Sequence, residues 1–60
     1  MIEKVIIFDF YMDRDELEEK INKKIKYLKN TNCNILDIKF SAVSNMNVKF
    51  YTAMIIYDEL

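Results

Sequence analysis

Val48-Lys49-Phe50-Tyr51-Thr52-Ala53-Met54-Ile55-Ile56-Tyr57 is the stretch on which the fold turns. Alternation along a strand sends Val48, Phe50, Thr52, Met54 and Ile56 to one side and Lys49, Tyr51, Ala53, Ile55 and Tyr57 to the other. Both sets are largely apolar, which places this strand in the middle of a sheet, with a neighbour at each edge.

The neighbours are legible on either side of it. Ser44-Asn45-Met46-Asn47 is a short polar loop suited to an antiparallel hairpin, and before it residues 35–43 alternate, with Leu36, Ile38, Phe40 and Ala42 opposite Asp37, Lys39 and Ser41. At the start of the chain, residues 2–10 form another strand pattern, Ile6, Phe8 and Phe10 facing one way and Val5, Ile7 and Asp9 the other. Between these strands lies a helix signal. Asp13 is an N-cap with Glu16 three residues on, and Met12 and Leu17 occupy the two positions of a hydrophobic staple. Leu17, Ile21, Ile25 and Leu28 then recur at helical spacing up to about Lys29. Acids (Asp15, Glu16, Glu18, Glu19) precede lysines (Lys20, Lys23, Lys24, Lys26, Lys29), as the helix dipole favours, and Asn30 to Asn32 end the element.

The order is therefore β-α-β-β, an α+β fold in a single domain over residues 1–60. A right-handed crossover makes the first two strands parallel to each other, so the third fits antiparallel between them, in order 1-3-2. One helix covers one face of this three-stranded antiparallel sheet. The second face is expected to carry Val5, Ile7, Tyr51, Ala53, Ile55 and Tyr57, fringed by Asp9, Asp37, Lys39, Ser41 and Lys49. An apolar sheet face with no cover of its own marks an interaction site, and these six residues are the expected oligomer interface.

Size and composition lead to the same expectation. A 60-residue chain buries only about 60% of the surface its unfolded form exposes, and small domains compensate with disulfides, metals or partner subunits. With one cysteine, Cys33, and no histidine, neither an intrachain disulfide nor the usual zinc or iron ligand set is available. Association remains, and an apolar fraction of 52% is high for so small a body. A net charge of −1 gives no bias toward nucleic acid or an anionic membrane. The apolar runs from Val5 to Phe8 and Ala53 to Tyr57 are far shorter than the roughly 20 residues of a membrane span. Met1-Ile2-Glu3-Lys4 lacks the basic start and long apolar core of a secretion signal, and a lone thiol suits a reducing compartment, so the expected location is the cytoplasm.

Catalytic chemistry finds little to work with. Asp9, Asp13, Asp15 and Glu16 cluster near the strand-to-helix loop, where carboxylates could hold magnesium or transfer protons. Capping and dipole roles account for three of them more simply. Cys33 and Ser41 have no histidine to activate them, and Cys33 reads as a packing residue. The expectation is a protein that is not an enzyme and carries no metal or other cofactor. For a ligand, Tyr51 and Tyr57 near Lys39 and Lys49 could stack a planar ring and neutralise a phosphate; packing of both tyrosines across a subunit seam is the stronger reading, and the two are compatible. Arg14 at the helix start could touch an anion, and Asp37 completes the candidate ligand set.

Asp37-Ile38-Lys39-Phe40-Ser41 and Thr52-Ala53-Met54-Ile55-Ile56-Tyr57, with Val5-Ile6-Ile7-Phe8-Asp9 and the charged helix between, resemble the Cse-type small sporulation proteins of spore-forming bacteria and their phages. The likeness extends over nearly the whole chain, which adds Asp58-Glu59-Leu60 after the closing strand. It implies a β-α-β-β fold, a setting in sporulation or on phages, and no established enzyme activity. The functional expectation is a non-catalytic homo-oligomer that sequesters a small ligand, such as a linear or cyclic nucleotide signal, at or near a subunit interface. The alternative is a structural or regulatory sporulation component that docks on another protein.

Overall fold

A computed structural model describes residues 2–59. Strand β1 (Ile2–Tyr11), helix α1 (Arg14–Asn30), strand β2 (Cys33–Asn45) and strand β3 (Val48–Glu59) follow in that order. The three strands form one antiparallel sheet in the order β1-β3-β2, as the doubly apolar third strand predicts.

Helix α1 begins where the cap places it. Asp13 is extended, at φ −110° and ψ 117°, and its Oδ1 accepts the Asp15 N–H at 2.9 Å, while the Leu17 N–H donates to the Asp13 carbonyl at 3.1 Å. The carboxylate thus takes the N–H two residues on rather than that of Glu16, a variant of the expected capping box. At the other end Thr31 closes the helix: its N–H donates to the Leu28 carbonyl at 3.2 Å, and its hydroxyl to the carbonyls of Tyr27 and Leu28, each at 3.1 Å. These carbonyls have no partner further along the helix, which is why a capping hydroxyl is useful there. Asn32, at φ 60°, then turns the chain toward β2 in a left-handed conformation that asparagine tolerates.

The hairpin is longer than its sequence suggests. Strands β2 and β3 pair out to Asn45 opposite Val48, leaving only Met46 and Asn47 in the turn. Both have positive φ, 50° and 67°, the signature of a type I′ turn. In a chain without glycine, Met46 fills a position that glycine or asparagine would hold more comfortably.

Register decides which face the helix covers. Ile6 and Ile38 lie opposite Ile55, and Phe8 and Phe40 lie opposite Ala53. Residues opposite one another share a face, so the rows centred on Ile55 and Ala53 lie under α1. Ala53, Ile55, Leu17 and Leu28 form the buried core, with Ile21 and Ile25 partly covered beside them. The short Ala53 side chain leaves room for the helix to approach the sheet. This corrects the expected second face: Tyr51, Ala53, Ile55 and Tyr57 belong to the covered side, and only Val5 and Ile7 of the six lie on the other. Because β3 is apolar on both sides, alternation alone could not say which of its faces accompanies Val5 and Ile7; a one-residue difference in register exchanges them.

The result is long and thin. The Cα radius of gyration is 12.8 Å, against roughly 10.4 Å for a compact 60-residue chain. The accessible surface is 4676 Å², against roughly 4,200 Å² for a folded chain of this mass. Much of the excess comes from the distal β2–β3 ribbon, which continues past Tyr51, where β1 ends.

Candidate functional site: the open sheet face

The face turned away from α1 gathers Val5 and Ile7 from β1, Phe50, Met54 and Ile56 from β3, and Val43 from β2. Val5, Ile7 and Val43 are 49%, 58% and 53% exposed. Asp37, Lys39 and Ser41 line its β2 margin, opposite Ile56, Met54 and Thr52. A shallow depression of about 350 Å³ crosses the middle, between Ile7 and Asp9 of β1 and Lys39 and Ser41 of β2 over Thr52 and Met54, with Phe40 and Ala53 also contributing to its lining.

Phe10 joins this face through an irregularity that alternation does not reveal. Phe8 pairs with Ala53 and Tyr11 with Tyr51, so β1 advances three residues where β3 advances two. The extra residue is absorbed by a bulge in which Phe10 adopts φ 60°. For an aromatic side chain this is a sparsely populated conformation costing about 1–3 kcal/mol. It carries Phe10 away from the side of Ile6 and Phe8, against the edge of the Phe50 ring, with centroids 6.2 Å apart and planes at 90°. Phe10 remains 74% exposed, so one chain spends conformational strain to present an aromatic ring to its surroundings. The expectation that Phe10 aligns with Ile6 and Phe8 is corrected accordingly.

The expected ligand set is divided between the two faces. Asp37 and Lys39 are on the open face, while Tyr51, Tyr57 and Lys49 are on the helix side. Tyr57 lies between Lys4 and Ile35, and Lys49 sits opposite Ser44 on the distal ribbon. Tyr51 stacks on Phe40, with centroids 6.1 Å apart and planes 26° apart. Arg14 lines a separate groove of about 260 Å³ with Glu18, Ile21 and Phe40. Tyr51 and Arg14 are therefore linked through Phe40, a residue not singled out from the sequence. Phe10, Phe50, Met54 and Ile56 were likewise missed as surface residues; the even-numbered apolar positions of β3 were the available signal, and the bulge had none.

Other candidates have local structural roles. Asp13 caps the helix, and among the described residues no three acidic or sulfur ligands converge as a metal site would require. The Cys33 thiol is half-buried in the turn, 3.5 Å from the Thr31 hydroxyl and 3.8 Å from its carbonyl. Among the described residues, no helix is long and apolar enough to cross a membrane. Lys4 and Glu59 form an exposed ion pair, and the hydrogen bond and charge of Glu59 raise the Lys4 pKa above its ordinary 10.5.

No protein-family model, curated protein or solved structure matches this chain.

Proposed function

We propose that this chain is a non-catalytic binding protein that acts as a homo-oligomer, with the open sheet face covered by a second copy and cargo held at or beside the subunits. The observation that carries the reading is the apolar open face itself, to which a strained backbone adds the exposed Phe10. A second copy suits it in size. The two longest dimensions, 42 and 18 Å, outline a footprint of roughly 750 Å², close to the ~800 Å² per partner of a standard interface. The small core supports the same reading, because a second layer would bury Val5, Ile7, Phe10 and Phe50 without any change in the fold.

For cargo, a small anionic nucleotide remains the proposed class. Its support is the groove in which Arg14 lies beside the half-exposed Phe40, with Tyr51 stacked behind. A guanidinium next to an aromatic platform offers a phosphate partner and a stacking surface together. The setting in sporulation or phage–host conflict, suggested by the resemblance to Cse-type proteins, belongs to the same proposal.

Native mass spectrometry of the purified chain tests the assembly, and thermal unfolding with a panel of linear and cyclic nucleotides tests the cargo. An even-numbered assembly and a raised melting temperature, the latter lost in Arg14→Ala and Phe40→Ala, are expected. A monomer at every concentration contradicts the assembly, and an unchanged melting temperature across the panel contradicts the cargo.

A further inference from the structure

Among the described residues, the order β1-β3-β2 leaves the outer edge of β2 unpaired along the 13 residues of the longest strand. Natural edge strands are blunted by proline, by short length or by repeated bulges and charges. Here there is no proline, and one irregularity, between Ile35 and Asp37, interrupts the pairing with β3. Leu36 is that irregularity, with no partner in β3, and Leu36, Ile38 and Phe40 stay 46%, 41% and 54% exposed although the helix lies over the side that carries Ile38 and Phe40. The edge thus combines backbone groups that no neighbouring strand pairs, the Ile38 N–H being taken locally by Asp37, with exposed apolar side chains.

A second copy fits this edge in one register better than in its neighbours. An antiparallel pairing of two identical strands has a two-fold axis through one residue, and residues equally far from that residue on opposite sides meet across the seam. An axis at Lys39 sets lysine against lysine, and one at Asp37 sets aspartate against aspartate; both place like charges directly opposite, which is destabilising. An axis at Ile38 does the reverse. Asp37 then meets Lys39 of the second copy and Lys39 meets its Asp37, all four on the open face, while Ile38 meets Ile38 on the other side.

We propose that a second copy of this chain pairs antiparallel with β2 through residues 37–39, about a two-fold axis at Ile38, and joins the two sheets into one of six strands. In the single chain the Asp37 carboxylate folds back on its own strand, its Oδ1 accepting the Ile38 N–H at 2.8 Å. Pairing exchanges that local bond for Lys39 across the seam. This contact runs along the outer edge of β2 rather than over the open face, with which it shares only the marginal Asp37 and Lys39; with both contacts in place the assembly contains at least four chains.

The test is run in an Ile7→Asp background, which disables the open face and isolates the edge. Mass measured by native mass spectrometry and sedimentation is expected to be that of a dimer. Asp37→Lys or Lys39→Asp, each placing like charges across the seam, should weaken that dimer at least tenfold, and the two substitutions together should restore it. A monomeric Ile7→Asp chain, or a dimer indifferent to the charge exchange, overturns the edge pairing. Failure of the face reading registers elsewhere, as an Ile7→Asp chain with the same mass as the unmodified protein.

Discussion

The two faces of this sheet are built from the same strands and have similar apolar content, yet they meet different fates. Under α1, Ile55 and Ala53 are sealed against Leu17 and Leu28. On the other side Ile7, Phe10 and Val43 are more than half exposed. The difference lies in supply, since 17 residues of helix provide one apolar stripe, which seals the centre of one face and leaves Ile38 and Phe40 at its β2 edge 41% and 54% exposed. A side chain of the same kind therefore holds the fold together on one face and is available for association on the other.

The largest expected effect comes from the covered side. Ile55→Ala removes fully buried methyl groups and should cost about 2–5 kcal/mol, against a total of about 3–9 kcal/mol for a domain of this length. Urea denaturation should show the variant largely unfolded or barely folded. Ile7→Ala on the open face should leave the stability of the dissociated chain within about 0.5 kcal/mol. Equal losses at the two sites would abolish the contrast between the faces.

Phe10→Asn sharpens it further. Asparagine accepts φ near 60° more readily than phenylalanine, so the dissociated chain should keep its stability or gain up to about 1 kcal/mol, while association weakens with loss of the ring. Calorimetry at low concentration and sedimentation at high concentration separate the two effects. A loss of stability without any effect on association would return Phe10 to a purely structural role.

The helix cap comes next. Asp13→Ala should cost about 1 kcal/mol, measured by urea denaturation, by releasing the Asp15 N–H. Smallest of all is the Lys4–Glu59 pair, which is exposed and screened by salt. Because the folded-state pKa of Lys4 is raised above 10.5, its contribution is fully present below that pH and disappears as pH rises through the raised value. The melting temperature of Lys4→Met should fall slightly below that of the unmodified protein at neutral pH, and the gap should close in strong alkali.

Much of this fold is written in local signals. Asp13 marks the helix start, the spacing of Leu17, Ile21, Ile25 and Leu28 marks its buried stripe, and the doubly apolar 48–57 segment marks the central strand. What the sequence conceals is the relation between strands. Whether Val5 sits beside Ile55 or Ile56 depends on turn length and on two bulges, neither announced by glycine or proline. Alternation therefore puts Val5 and Ile7 correctly on the open face but sets Tyr51, Ala53, Ile55 and Tyr57 beside them, and it gives no sign that Phe10 changes sides. The ligand set fell apart for the same reason, since Lys39 and Tyr51 lie on strands whose relative register was unknown.

Thermal unfolding over a wide dilution series reports association between copies, because a contact between them makes the melting temperature depend on concentration. We expect the melting temperature to climb with concentration in the unmodified chain, and the climb to shrink when Ile7 is replaced by aspartate. A melting temperature that stays constant across the series, with the mass of a single chain throughout, would contradict it.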